Sequence, residues 1–139
     1  MADKRIYLDN AATTRVAEEV LQEMLPCFRE SYANPSAIYG FAGEAKKAVG
    51  IARERAASLI GAKPNEIYFT AGGSESDNWA VRAVAEGLGG KGRHIITSKI
   101  EHHAVLHTCQ YLEKQGYEVT YLDPDEEGKV SPEALEKAI

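Results

Sequence analysis

Ile67-Tyr68-Phe69-Thr70-Ala71-Gly72-Gly73-Ser74-Glu75-Ser76-Asp77-Asn78 reads as a short apolar strand, a glycine turn and the start of a helix. A helix start leaves its first backbone N–H groups without intrahelical acceptors and carries the positive end of the macrodipole. Glycines just before it let an anion come close to the backbone. The stretch is therefore a candidate phosphate cradle. The same residues also support a structural reading, in which Ser74 caps the helix and Asp77, three residues on, completes a capping-box-like pattern. Glu75 and Asp77 would compete with an anion unless they point aside. The turn is not a Walker loop, because no Gly-Lys-Ser/Thr follows, and the Gly-x-Gly-x-x-Gly dinucleotide fingerprint is absent.

Outward from this stretch, strands and helices alternate, which predicts an α/β layered domain with a largely parallel sheet. Residues 6–8 form a brief extended piece, and the spacing of Val16, Val20, Leu21, Met24 and Phe28 predicts a helix from Val16 to about Glu30. Pro35 pushes Asn34 out of the helical region, so Asn34-Pro35-Ser36 breaks the chain. A long helix is predicted from about Gly43 to Ile60, with Ala45, Ala48, Val49, Ala52, Ala56 and Leu59 inward and Gly61 as its stop. Glu66–Thr70 is predicted as a strand, Glu75 to about Leu88 as a helix, His94–Thr97 as a strand and His103–Lys114 as a helix. Tyr117–Leu122 is the third expected strand, followed by a turn at Asp123–Gly128 and a last helix capped by Ser131 with Pro132 in its first turn. A strand–helix–strand unit needs its return strand, and none follows that helix before Ile139, so the sheet is expected to be incomplete as given.

Composition narrows the class. The 139 residues fit one ordinary domain, and 44% apolar content supports a packed core. No apolar run approaches the roughly 18 residues of a membrane span, and Met1–Asn10 has no signal-peptide core. A soluble, cytoplasmic protein is expected. A net charge of −5 with scattered Lys and Arg argues against nucleic-acid binding. Cys27 and Cys109 form no spaced framework and are expected to be reduced, partly buried thiols, Cys27 in the core. Cys109 has no basic neighbour to activate it.

Three more motifs bear on chemistry. Glu101-His102-His103, with His107 four residues on, follows the second strand, at the sheet end where α/β proteins bind ligands. His103 and His107 share a helix face and could bind zinc, although no thiolate or well-spaced further ligand accompanies them. Alternatively an imidazole there could stack on a flat heteroaromatic ligand or shuttle protons, or His102 could simply be a hydrogen-bonded loop residue. Tyr7-Leu8-Asp9-Asn10-Ala11-Ala12-Thr13-Thr14 puts small and polar residues after a short apolar piece, with Thr14 placed to cap the next helix. Asn34-Pro35-Ser36 has a plain reading as a turn.

Tyr7–Thr14, Ala33-Asn34-Pro35-Ser36, Phe69–Asn78 and Thr97-Ser98-Lys99-Ile100-Glu101-His102-His103-Ala104-Val105-Leu106 occur in one order and spacing. Together they resemble the cysteine desulfurases of the NifS/IscS type within the class V aminotransferases. The resemblance covers the whole chain and about the first third of a family member. It implies an α/β protein that is part of the large domain of a fold type I pyridoxal-5′-phosphate enzyme, three-layered with a largely parallel sheet. Residues 1–15 would be an arm lining the active site, and 16–139 the N-terminal portion of the cofactor-binding domain.

The implied activity takes sulfur from L-cysteine, leaving L-alanine and an enzyme persulfide for iron–sulfur cluster assembly or other sulfur transfer. Gly73 and Ser74 would hold the cofactor phosphate, His102 would stack on the pyridine ring and move protons, and Asn10, Ala11 and Asn34 would lie on the substrate side. No metal is implied. A homodimer and a scaffold or sulfur-acceptor protein are the implied partners, with neither nucleic acid nor membrane among them. Family members often carry Thr at the Ser74 position and His near Tyr39. The family's Schiff-base lysine, the Asp that pairs with the pyridinium nitrogen and the mobile-loop cysteine match nothing up to Ile139; Lys91, Lys99 and Lys114 fit no family lysine motif. Alternatives are a non-catalytic phosphate-ligand-binding fragment, half of a split enzyme, and a selenocysteine lyase-like enzyme.

Overall fold

The computed structural model describes residues 6–139, so the first five residues of the expected arm lie outside it. Two compact units divide the chain, one ending at Tyr68 and the other running Phe69–Ile139.

In the first unit residues 6–8 take no regular structure, and the chain turns where the Asp9 carbonyl accepts from the N–H groups of Ala12 (3.2 Å) and Thr13 (3.4 Å). Helix α1 spans Glu18–Arg29, two residues later than Val16. Its N-cap is Ala17 with no side-chain cap, so Thr14 does not cap it. The helix starts where Glu18 and Glu19 set carboxylates at its positive end. Its apolar stripe of Val20, Leu21, Met24 and Phe28 is exposed, and so is Cys27, contrary to the core placement expected. Periodicity marks a stripe that can be buried; it does not supply the surface that buries it.

Helix α2 spans Gly43–Ile60, as the pattern predicts. Gly61 ends it in the left-handed region (φ +69°), and the Ala62 N–H closes back on the Ala57 carbonyl at 2.9 Å. The inner face differs from expectation. Ala45 and Ala57 are buried, but Ala48, Val49 and Ala52 are exposed and Leu59 is 86% exposed. The cause is the 3₁₀ turn Pro64–Glu66, which packs on α2, together with the Arg53 guanidinium, which donates to the Ile67 carbonyl. Arg53 is half-buried and Ala57 buried along this side of the helix. Glu66 belongs to that turn, its carboxylate accepting from the Lys63 N–H at 2.7 Å. The strand expected at Glu66–Thr70 is therefore absent from the sheet formed among the described residues. A strand is defined by its ladder, and an apolar run does not provide the neighbour.

The second unit contains α3 (Gly73–Leu88), β1 (His94–Ser98), α4 (His103–Lys114), β2 (Glu118–Leu122) and α5 (Pro132–Ala138). β1 and β2 pair in parallel from His94 opposite Glu118 to Ser98 opposite Leu122, so β1–α4–β2 is a strand–helix–strand unit of the expected kind. α4 packs on α3, and Ala85, Ala104, Thr108, Cys109 and Leu112 are buried. Tyr117 donates its hydroxyl to the Ala85 carbonyl at 2.7 Å, so a Cβ at Gly89 would meet that hydroxyl at 3.0 Å. Gly116 (φ +84°) ends α4, and the Ser131 hydroxyl caps α5 by accepting from the Ala134 N–H at 3.0 Å. The turn after β2 is held by the Asp125 carboxylate, which accepts from the N–H groups of Glu127 and Lys129. Among the described residues no helix is long and apolar enough to cross a membrane.

Two glycines of the same helix region should respond oppositely to alanine. Gly50 sits mid-helix with open space at its Cβ position, and Gly50→Ala should stabilise by about 0.5–1 kcal/mol. Gly61→Ala forces a left-handed alanine and should cost about 1–2 kcal/mol. Urea midpoints moving in the same direction would contradict this assignment of the α2 terminus.

A pH dependence follows from α4. Burial, then the nearby Glu113 and Glu101 carboxylates, push the Cys109 thiol above its ordinary 9.0. Burial and the hydrogen bond to Glu113 push Tyr121 up to about 12. The unfolded chain then gives up these protons before the folded chain does. Their stability contribution is complete below about pH 9 and is lost as pH rises beyond it. In denaturation series at increasing pH, Cys109→Ala should flatten the first part of that decline; a slope identical to the parent's would remove Cys109 as its source.

Candidate functional site

The cradle is built by what Gly72 and Gly73 leave open. Gly72 is extended and precedes α3, which starts at Gly73 rather than at Glu75. Ser74 is thus inside the first turn and is not the N-cap, and the capping pattern expected between Ser74 and Asp77 does not form. Glu75 takes the bracing role: its carboxylate reaches back to accept from the Ala71 N–H at 2.6 Å. That bond engages one Glu75 carboxylate oxygen in the turn before the helix. The Thr70 hydroxyl donates to the Gly72 carbonyl at 3.1 Å and lies 2.6 Å from the Ser76 hydroxyl. The first helical N–H to find a carbonyl is that of Ser76, on Gly72 at 3.2 Å. The N–H groups of Gly73, Ser74 and Glu75 and the Ser74 hydroxyl have no acceptor among the described residues. Apart from the chain neighbours and the helix's own backbone, no atom lies within 4 Å of a Cβ built at Gly72 or Gly73. Four donors without acceptors thus lie at the positive end of a helix of 16 residues.

His102 is the N-cap of α4. Its Nδ1 accepts from the Ala104 N–H at 3.1 Å, so the neutral ring carries its proton on Nε2. The hydrogen-bonded loop role expected as the bland alternative is therefore real, and it fixes the tautomer and leaves the ring faces available. His103 enters the helix, its ring 6.2 Å from that of His102 and stacked 5.3 Å from that of His107. Among the described residues no group of three or more His, Cys, Asp or Glu is arranged to hold a metal ion.

Gly73, Ser74 and His102 all belong to the second unit, and Asn10, Ala11 and Asn34 to the first. Asn10 and Ala11 are exposed in the turn after Asp9. Asn34 holds a turn, its Oδ1 accepting from the Ser36 N–H at 2.9 Å and its carbonyl from the Ala37 N–H at 3.0 Å. That leaves the Asn34 amide NH₂ as a donor. Tyr39, where a histidine is common in the resembling family, is exposed.

Sequence reading missed Thr70, Ser76 and Asn78. Asn78 donates to the Ser74 carbonyl at 2.8 Å and to the Ala104 carbonyl at 3.4 Å. The i, i+4 spacing of Ser74 and Asn78 was a usable signal for the first bond. None existed for the second, which spans 26 residues. Ser74 and Asn78 also line, with Trp79, Arg82 and Glu86, a groove of about 550 Å³ along α3.

Comparison with known proteins places the chain among relatives of known kind. The cysteine desulfurase IscS of Clostridium botulinum (strain Hall) is 56% identical over 137 residues, covering 99% of this chain and 34% of the relative. That of Methanosarcina thermophila is equally similar over the same shares. The chain thus spans about a third of the length of these curated relatives. Among solved structures, a NifS-like protein superposes with a TM-score of 0.92 at 45% identity, over 97% of this chain and 37% of that one. SspA in complex with cysteine superposes at 0.86 with 46% identity, over 93% and 37%. The class-V aminotransferase profile matches residues 6–139, taking in both the cradle and the histidine cap, and the chain belongs to that family.

Proposed function

We propose that this chain supplies the phosphate cradle and the ring-facing histidine of a pyridoxal-5′-phosphate-dependent cysteine desulfurase. The observation that carries the reading is the set of four free donors at Gly73–Glu75 in the same unit as His102. A phosphate monoester needs several donors and a positive potential, and the first turn of α3 supplies both. The open space at Gly72 and Gly73 and the commitment of Glu75 to Ala71 make the residues present fit such a group. When bound, pyridoxal phosphate supplies an electron-withdrawing ring that stabilises carbanionic character.

The chain's own residues do the rest. Gly73 and Ser74 anchor the phosphate through backbone N–H and hydroxyl. His102 offers an imidazole face for stacking, and its Nε2–H can donate a hydrogen bond. Asn10, Ala11 and Asn34 serve the amino-acid substrate, the Asn34 NH₂ as a donor to a carboxylate. In this reading the substrate is L-cysteine, the products are L-alanine and an enzyme persulfide, and sulfur passes to a scaffold or acceptor protein from a homodimer. Residues 16–139 are the N-terminal part of the large domain, and 1–15 an arm at its active site.

In the full-length enzyme Ser74→Ala should weaken cofactor retention. A lost hydrogen bond to a charged group is worth about 1.5–3 kcal/mol, or roughly ten- to a hundredfold in affinity. Unchanged affinity in a dialysis titration would reduce Ser74 to a helix residue without a ligand.

His102→Ala should change the visible spectrum of the bound cofactor and slow turnover, whereas His103→Ala should affect only stability, and slightly. Equal effects of the two substitutions would overturn the assignment of the ring-facing position.

A further inference from the structure

We infer that Asn78 is a positioning residue that ties the cradle at Ser74 to the histidine cap at His102; the inference rests on the functional reading above. Its side-chain amide bridges two helices, donating to the Ser74 carbonyl on α3 (2.8 Å) and to the Ala104 carbonyl on α4 (3.4 Å). Both partners are carbonyl oxygens, so only the NH₂ end of the amide can face them. The side chain is half-buried, and the bond across to α4 is the more sheltered of the two.

Ala104 extends the connection. It is buried, and its N–H is the group that His102 Nδ1 accepts from. Asn78 therefore holds the carbonyl of the residue whose N–H sets the His102 tautomer. The first turn of α4 is locked in register against the first turn of α3, and the proton of a neutral His102 stays on Nε2. No substitution of similar size reproduces the bridge. Aspartate would present oxygens to two carbonyls. Serine can bond back to the carbonyl four residues earlier but does not reach the second helix.

The experiment uses the full-length protein, cofactor-free, with histidines labelled with ¹⁵N, at alkaline pH where free imidazole is neutral. The parent should show two well-separated His102 ring-nitrogen shifts, with Nδ1 as the acceptor. In Asn78→Ala and Asn78→Ser the two shifts should move toward each other as the second tautomer becomes populated. Thr108→Val deletes a different hydrogen bond to the same Ala104 carbonyl, from within α4. It should lower stability and leave the two shifts apart. If Asn78→Ala fails to fold, Asn78→Ser carries the test, because it retains the bond within α3. Parent-like shifts in folded Asn78→Ser, or an equal collapse in Thr108→Val, would overturn the inference.

A second readout is the double-mutant cycle in the cofactor-loaded enzyme. Asn78→Ser should slow turnover several-fold in the parent and add nothing once His102 is alanine; full additivity would overturn the inference. The nitrogen shifts are read without cofactor. Their failure is therefore separate from failure of the phosphate assignment, which Ser74→Ala tests.

Discussion

The backbone of Ala104 is the constraint on which the second unit's site depends. A buried peptide group must be satisfied, and an orphaned one costs as much as a lost hydrogen bond. Ala104 is 8% exposed. Its N–H goes to His102, and its carbonyl accepts from the Thr108 hydroxyl and the Asn78 amide. Each partner comes from a different place: the cap of α4, the next turn of α4, and the neighbouring helix α3. The three demands are compatible only when the first turns of α3 and α4 are held side by side. A donor-rich helix start and a tautomer-fixed imidazole then occupy one rigid element pair, and precision of this kind favours sites built on helices over sites on free loops.

Electrostatics is divided between the same two helices. Around the α3 start, the Glu75 carboxylate accepts from the Ala71 N–H, while the N–H groups of Gly73, Ser74 and Glu75 have no acceptor among the described residues. Along α4 the acids act in the opposite sense. Glu113 accepts from the Tyr121 hydroxyl at 3.1 Å and, with burial and Glu101, keeps the Cys109 thiol protonated. Reactive cysteines sit near cations or helix N-termini; Cys109 has neither and is packed as a small apolar side chain.

The first unit shows how a weak core is steered by a few polar contacts. Among the described residues its buried side chains are alanines: Ala33, Ala42, Ala45 and Ala57. Alanine faces pack closely but bury little area, so no large side chain dictates the rotation of α2. The Arg53 bond to the Ile67 carbonyl and the 3₁₀ turn at Pro64–Glu66 decide it instead. In the same unit Tyr32 and Phe41 meet edge to face at 5.4 Å, and the Ser31 hydroxyl donates to Glu44 at 3.1 Å.

The helices and turns of this chain were legible in the sequence because their causes are local. Gly61 and Gly116 stop helices by tolerating the left-handed region, Ser131 caps α5 with its own hydroxyl, and the α2 and α4 boundaries follow from composition within a few residues. The glycine turn and the histidine after β1 were legible as a candidate site for the same reason, since a helix start advertises its donors wherever it occurs. What tertiary structure decided was every property that needs a second segment. Leu59 and the α1 stripe had the right period but no covering surface among the described residues. Ile67–Thr70 had a strand's composition without a ladder there. Ser74 is a first-turn donor and not a cap because Glu75 and Ala71 settle where α3 begins, and Asn78 acquires its role only from a carbonyl 26 residues away. Propensity acts within a turn of the chain, whereas burial, register and bridging hydrogen bonds exist only once distant backbones have met.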